Sequence, residues 1–570
     1  MLDYAIKGGT VVDGTGAPPR RADVGIRDGR IVAVGQLDEP AAKEIDATGL
    51  LVCPGFVDPH THYDAQLYWD PFATPSSWHG VTSVIGGNCG FTLAPIKAPD
   101  ADYTRRMMAK VEGMPLAALE AGVPWTWETF GEYLDGLDGR IAVNAGFMVG
   151  HCALRRYVMG EEAVGREAKP EEIDQMVAVL HDSLAAGGLG LSTTRSSTHN
   201  DGDSQPVASR WATEEELVTL CGVVGEHEGT SLEAIVQGCL DGFSPAEIEL
   251  FARMSATARR PLNWNVLSVD PDDPGKPDRQ LRASRRAREI GGRVVALTMP
   301  VNVPMNMSFN TFCALWLIPG WNDVLNVPVP ERKQRILDPE VRERMLENAM
   351  TSRVLGRLAQ FGNYVIGDAF APELKDVIGR KVSDLAQERG KGNFATLAEI
   401  VAADDMRTIL WPTPPDTDEI WKQRSELWQQ EDVMLGGSDA GAHLDRMCGS
   451  PYPTKFLGDS LRGRQLVPVE EAVRLMTDVP ARLFGLRDRG RITEGFHADI
   501  TIVDPATVDA ELPLLTPDLP GDSPRLLAKP VGVHRVFVNG VETIVDGEPT
   551  GATAGTVLRS GQETDTVLTA

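Results

Sequence analysis

No stretch of the 570-residue chain is both long and apolar enough to cross a bilayer. The first residues, "MLDYAIKGGTVVDG", lack a basic start followed by an apolar core, so no secretory leader is expected. Cysteine is sparse: seven residues (Cys53, Cys89, Cys152, Cys221, Cys239, Cys313, Cys448), odd in number and widely scattered. That excludes a fully paired disulfide framework and points to a reducing, cytoplasmic compartment. Positive charge is in deficit, with 55 Lys and Arg against 81 Asp and Glu and a net charge of −26. Such a surface disfavours nucleic acid and anionic membranes as partners. What is present is a 42% hydrophobic content in a chain longer than one ordinary domain, enough for a large core.

Residues 1–54 read as short strands joined by tight turns. In "VGIRDGRIVAVG", Asp28-Gly29 stands between two β-branched runs, and such a turn needs positive φ. The far end, 481–570, does the same: "HADITIVDP" reads as a strand, with Asn539-Gly540 and Asp546-Gly547 at later turns. Two β-rich ends around a long middle predict one small composite β-sandwich built from both termini. The middle, 55–480, alternates apolar runs with helical stretches, the rhythm of an α/β fold with parallel strands. Eight candidate strands follow in order: "LLVCPGFVDPHTH", "VTSVIGGNCG", "IAVNAGFMVGH", "GLGLSTTRSS", "TSLEAIV", "PLNWNVLS", "RVVALTMP" and "DVMLGGSDAGAH". Each ends in small or polar residues, which suits a TIM-like (β/α)₈ barrel with its chemistry at the strand C-termini. A helical insertion at about 303–430 precedes the last strand. It carries the pattern "DPEVRERMLENAMTSRVLGRLAQ" and Trp316, Trp321, Trp411, Trp421 and Trp428. It reads either as a subdomain with its own core or as a lid over a substrate pocket.

On a strand, residues two apart point to one side, so His60 and His62 in "FVDPHTHYDAQ" converge and both imidazoles can reach one ion. The alternative is chance alternation of two polar residues. Cys89, in "VIGGNCGF", is a candidate thiolate ligand or a small buried apolar residue. Asp439, in "GGSDAGAH", is placed to bind the ion and to take a proton from water, or else to cap the next helix. His151 and His443 lie just past strand ends. Each is a candidate to polarise a substrate carbonyl or to make ordinary loop hydrogen bonds. His199, in "SSTHNDGDSQP", is a further candidate of the same kind, and Glu233, Asn263 and Asn265 are the polar residues of the fifth and sixth strands.

Taken together, these segments resemble the amidohydrolase superfamily, in particular its N-acyl-D-amino-acid deacylase (D-aminoacylase-like) branch. The motifs are "GGTVVDGTG", "DATGLLVCPGFVDPHTHYDAQ", "GNCGFTLAP", "GHCALRRYVMG", "GLGLSTTRSSTH", "SDAGAH", "GRITEGFHADITIVDP" and "VFVNGVETIVDGEPTGATAGTVLR", spread over nearly the whole chain. The resemblance implies a barrel with a sandwich from both termini, and a zinc ion, or another divalent metal, held by His60, His62, Cys89 and Asp439. It also implies hydrolysis of the amide bond of an N-acyl amino acid, with Asp439 as general base and acid and a small-molecule substrate as the partner. Such deacylases carry histidines on the fifth and sixth strands that complete a second metal position. Here "SLEAIV" and "LNWNVLS" offer Glu233, Asn263 and Asn265 instead, and the sixth-strand lysine that holds a substrate carboxylate has no counterpart. Self-association into a homo-oligomer is expected. Hydrolysis of a cyclic amide or lactone, a decarboxylase-type reaction, and a non-catalytic binding role are the alternatives.

Overall fold

The computed structural model describes residues 1–310, 313–351, 355–414 and 416–569. Eight parallel strands run through the main body: β1 (Phe56–Asp58), β2 (Val81–Gly86), β3 (Asn144–Phe147, resumed at Val149–Gly150), β4 (Gly190–Thr194), β5 (Ser231–Ile235), β6 (Pro261–Trp264), β7 (Arg293–Thr298) and β8 (Val433–Leu435). Nearly every residue in them is buried, as expected for parallel strands covered on both faces. They form two arcs, β1-β2-β3 and the resumed β3-β4-β5-β6-β7-β8, every neighbour parallel. The arcs join at the β3 interruption, where Met148 N donates to Gly86 O (3.0 Å) and Leu189 N to Phe147 O (2.8 Å). The chain beyond β1 also meets the chain beyond β8: Thr61 and Ala440 form a parallel bridge, and His62 N donates to Ala440 O at 2.7 Å. Each expected strand has an observed counterpart, but the first splits, with Leu51–Pro54 in the terminal sheet and only Phe56–Asp58 in β1. His60, His62, Asp439 and His443 lie past the ends of β1 and β8. The sixth is shorter than its apolar run, ending at Trp264.

Helices alternate with these strands, among them α1 (Ala101–Val111), α2 (His151–Met159), α3 (Pro170–Ala185), α4 (Glu214–Gly225) and α5 (Pro245–Ala258). Their apolar faces share one core with the strands, in which Leu154, Leu180, Leu220 and Phe251 pack with Val84, Leu191, Leu232 and Leu262. Among the described residues no helix is long and apolar enough to cross a membrane.

Both termini feed one seven-stranded sheet, in which Ile500–Val503 pairs with Leu51–Pro54 on one side and Val533–Val538 on the other. A second sheet holds Leu2–Lys7, Asp23–Arg27, Arg30–Gly35 and Ala41–Asp46. Ile6, Val24, Ile26, Ile31 and Ile45 of the second sheet bury against Val52, Ile500, Ile502 and Phe537 of the first. The three expected turns are present with positive φ, as at Asn539 (48°) and Gly540 (79°).

Residues 304–417 form a separate compact unit with its own core, including Trp316, Trp321, Phe361, Phe394 and Leu397. Its helix Pro339–Met350 starts as its sequence dictates, with the Asp338 side chain accepting Glu340 N at 2.9 Å and Pro339 in the first turn. The expected helical pattern continued through 352–354, which lie outside the described residues. The helix Asp418–Trp428 belongs to the main unit, and its Trp421 and Trp428 enter the main core.

A buried polar knot ties the terminal sheet to β3. Asp499 accepts hydrogen bonds from Arg489, from Asn144 Nδ2 (3.1 Å) and from Asn539 N (2.8 Å), and Asn539 Nδ2 donates to Asn144 Oδ1 (2.9 Å). Arg489 and Asp499 are both almost fully buried, so removing the anion strands a guanidinium in the interior. Asp499→Ala is expected to destabilise the protein by about 3–5 kcal/mol, read as a lowered urea midpoint with an unchanged slope.

Candidate metal centre

Beyond β1 the chain carries His60 and His62, both fully buried, with ring centroids 5.4 Å apart. Their Nε2 atoms each lie 3.3 Å from the same oxygen, Asp439 Oδ1. His60 Nε2 is also 3.6 Å from Cys89 Sγ and 3.3 Å from Asn265 Nδ2. His62 Nε2 is 3.6 Å from Glu112 Oε2. A ring nitrogen holds one proton or one lone pair, so it serves one such neighbour and not two or three. A cation resolves the conflict. Donors held about 2.0–2.3 Å from a tetrahedral zinc stand roughly 3.3–3.8 Å from one another. The separations of His60 and His62 from Asp439 and of His60 from Cys89 fall in that range. His60, His62 and Cys89 offer donor atoms within 4.8 Å of one another, and two imidazoles, a thiol and a carboxylate are the donor types zinc takes. The residues fit the ion.

The backbone is bent to make this meeting. Cys89 (φ 55°), Asp439 (56°) and His443 (49°) all occupy the left-handed region. That conformation costs a non-glycine residue roughly 1–2 kcal/mol, so the surrounding structure must enforce it. Gly441 lets the loop pass close to the histidines, since a Cβ there would lie 2.4 Å from His62 O. Asp58 braces both sides. Its carboxylate accepts the Ser438 hydroxyl and faces His60 N at 3.5 Å, while Ser438 Oγ accepts Ala440 N at 3.0 Å.

Burial dominates the site's protonation. It pushes the Cys89 thiol well up, helped by Glu233, so a thiolate there needs a cation beside it. Burial also lifts Glu233 to about 8. For His62, burial works downward, but the Glu112 and Asp439 carboxylates outweigh it and raise the group to about 10. Asp439 also pays a burial penalty. Hydrogen bonds from His60 and His62 overcome it and hold the carboxyl well below the usual range, so it is ionised and able to accept a proton.

The remaining candidates differ in their reach. Glu233 sits behind Cys89, accepting its N–H at 2.8 Å through Oε2, while Oε1 is buried with no hydrogen-bond partner among the described residues. Asn263 donates to Leu232 O instead, at 3.1 Å. His443 and His199 are close enough to Asp439 and His62 for their charges to interact, and His199 Nδ1 meets Thr194 Oγ1 at 2.8 Å. His151 is bonded elsewhere. Its Nδ1 meets Thr193 Oγ1 and its Nε2 meets Glu216 Oε1, both at 2.9 Å, and Arg155 donates to the same glutamate. Both ring nitrogens are thereby engaged within the framework. Sequence reasoning missed Glu112 and Asp58. Asp58 lies inside the quoted "FVDPHTH" run, whereas Glu112, just past a helix, carries no signal in a single sequence.

The family model described as "Amidohydrolase family" matches residues 43–550. The chain belongs to the amidohydrolase family. This amidohydrolase is 29% identical over 565 residues to a D-aminoacylase of Alcaligenes xylosoxydans xylosoxydans, covering 98% of this chain and 97% of that protein. Among solved structures it is similar to the N-acyl-D-glutamate deacylase of Bordetella bronchiseptica complexed with zinc and a phosphonate mimic of the tetrahedral intermediate (TM-score 0.66, 26% identity, 98% of this chain and 100% of that one). It is also similar to a D-aminoacylase studied for its binuclear metal centre (TM-score 0.64, 27% identity, 98% and 100%).

With His62 charged and Cys89 a thiol near neutral pH in the metal-free protein, metal uptake must expel protons. Calorimetric titration with zinc at pH 7.5, in buffers of differing ionisation heat, is expected to show about two protons released, with affinity rising as pH rises. Proton-neutral uptake would contradict this protonation scheme.

Proposed function

We propose that this amidohydrolase hydrolyses the amide bond of an N-acyl amino acid, in first place an N-acyl-D-amino acid, at a divalent metal held by His60, His62, Cys89 and Asp439. The observation that carries the reading is the approach of both imidazole Nε2 atoms to the single Asp439 oxygen, with Cys89 Sγ alongside. The names of the whole-length relatives support the substrate class, and their zinc and binuclear centres support the metal. In this reading the eight parallel strands close as a (β/α)₈ barrel, supported by the Thr61–Ala440 bridge between its first and last staves. The division is residues 1–54 and 481–570 for the sandwich and 55–480 for the barrel with its insertion. Seven buried, unbridged cysteines support a cytoplasmic setting, and the exposed Leu512, Leu514 and Leu515 supply apolar surface for self-association.

A divalent cation in this site supplies Lewis acidity, lowering the pKa of a water molecule from about 16 toward about 7 and polarising a carbonyl. Asp439, ionised and a quarter exposed, accepts the proton as the water attacks the acyl carbon. It then delivers that proton to the departing nitrogen, because an amide anion is a poor leaving group. His443, held neutral by burial, donates a hydrogen bond to the developing oxyanion. His199 is kept uncharged beside it, its pKa pressed down to about 3 by burial and by His443. Glu233 positions Cys89 through the backbone hydrogen bond, and Asn265 borders His60. His151, locked between Thr193 and Glu216, acts by holding the start of α2 rather than by touching substrate.

The test is a screen of N-acyl-D- and N-acyl-L-amino acids with metal-quantified protein, paired with Asp439→Asn. The wild type is expected to release free amino acid. The variant is expected to retain its metal while kcat falls roughly 10²–10⁴-fold. A variant with full turnover would remove Asp439 from this role, and a metal-loaded wild type inert toward every N-acyl amino acid would remove the substrate class.

A further inference from the structure

One more carboxylate reaches His62, from a segment that belongs to no strand. Glu112 follows α1 directly, its N–H donating to Met108 O at 3.0 Å. Its side chain is 4% exposed, and its one ion-pairing partner among the described residues is His62, with Oε2 3.6 Å from Nε2. Asp439 and Asp64 stand near enough to repel its charge.

Its position is fixed from two directions. Glu112 O accepts the His443 N–H, which fastens it to the loop that carries Asp439. Gly113 follows with φ +59°, and a Cβ there would lie 3.1 Å from both His443 Cα and Nδ1. A side chain there would have to hold left-handed backbone and push the His443 loop back by a few tenths of an ångström, so glycine suits the approach.

We propose that Glu112 is a direct ligand of the metal centre, binding through Oε2 next to His62. This rests on the metal centre proposed above. The 3.6 Å spacing to His62 Nε2 lets both atoms reach one ion, which would then be five-coordinate. The same nitrogen has Asp439 Oδ1 on it at 3.3 Å, so His62 is flanked by two oxygen donors. A second carboxylate hardens the donor set. It therefore raises the standing of oxygen-preferring ions such as Mn²⁺ relative to zinc.

The experiment compares wild type, Glu112→Gln and Glu112→Asp by metal content after dialysis, by zinc affinity in chelator competition, and by the visible spectrum of the cobalt-loaded proteins. Glu112→Gln is expected to bind zinc roughly 10-fold or more weaker and to shift the cobalt bands, with Glu112→Asp recovering part of both. Unchanged affinity and spectrum in a folded Glu112→Gln protein overturn the assignment of Glu112. Wild type that takes up no cation overturns the metal centre itself, so the two failures are distinct. Should Glu112→Gln not fold, a crystal structure of the zinc-loaded wild type decides. Oε2 at about 2.0–2.2 Å from the ion supports the ligand, and a carboxylate outside that contact sphere overturns it.

Discussion

The His60 ring nitrogen has three polar neighbours at 3.3–3.6 Å and the capacity to satisfy one of them. Much of the surrounding architecture exists to hold that conflict in place. Asp58 and Ser438 bind the histidine segment and the Asp439 loop to each other. Left-handed backbone at Cys89 and Asp439 turns both side chains into a space that regular strand or helix would not reach. Strain of this kind persists only where the fold over-determines it. Here the over-determination comes from parallel strands buried on both faces, whose register admits little slippage.

That rigidity depends on the ends of the chain. β3 begins at Asn144, and Asn144 is bonded to Asp499 and Asn539 of the terminal sheet. The same sheet places Leu51–Pro54 just upstream of β1. The sandwich therefore anchors the strand that leads into the histidines, and its distance from the chemistry in sequence conceals a short mechanical path.

Features set by local pattern were legible in the sequence. Asp28-Gly29 and Asn539-Gly540 turn as their backbone preferences dictate, and eight apolar runs became eight parallel strands. His-x-His was legible as a motif, although both histidines lie past the end of β1 and only Thr61 between them makes a β-bridge. Residues whose role comes from tertiary proximity were not legible. Glu112 reads as an ordinary helix-end glutamate until the fold brings it to His62. His151 resembles an active-site histidine until Glu216, 65 residues away, occupies its second nitrogen. The boundary of the insertion was blurred for a similar reason. An amphipathic helix such as Asp418–Trp428 shows that it has an apolar face, not which core receives it.

The fifth strand presents Glu233, and the chain just past the sixth presents Asn265, where the family resemblance implied histidines. An imidazole ligand is neutral and a carboxylate is not, so the change alters the charge balance of the centre. Cys89 as thiolate, Asp439, Glu112 and Glu233 would together carry four negative charges, against two from a single divalent ion. Burial lifts Glu112 to about 7 and Glu233 to about 8 in the protein without metal, and a cation bound beside them would lower both. A second ion would pair with the remaining negative charge, and four anions would then balance two dications. The number of metals and the protonation of the two glutamates are thus one coupled equilibrium.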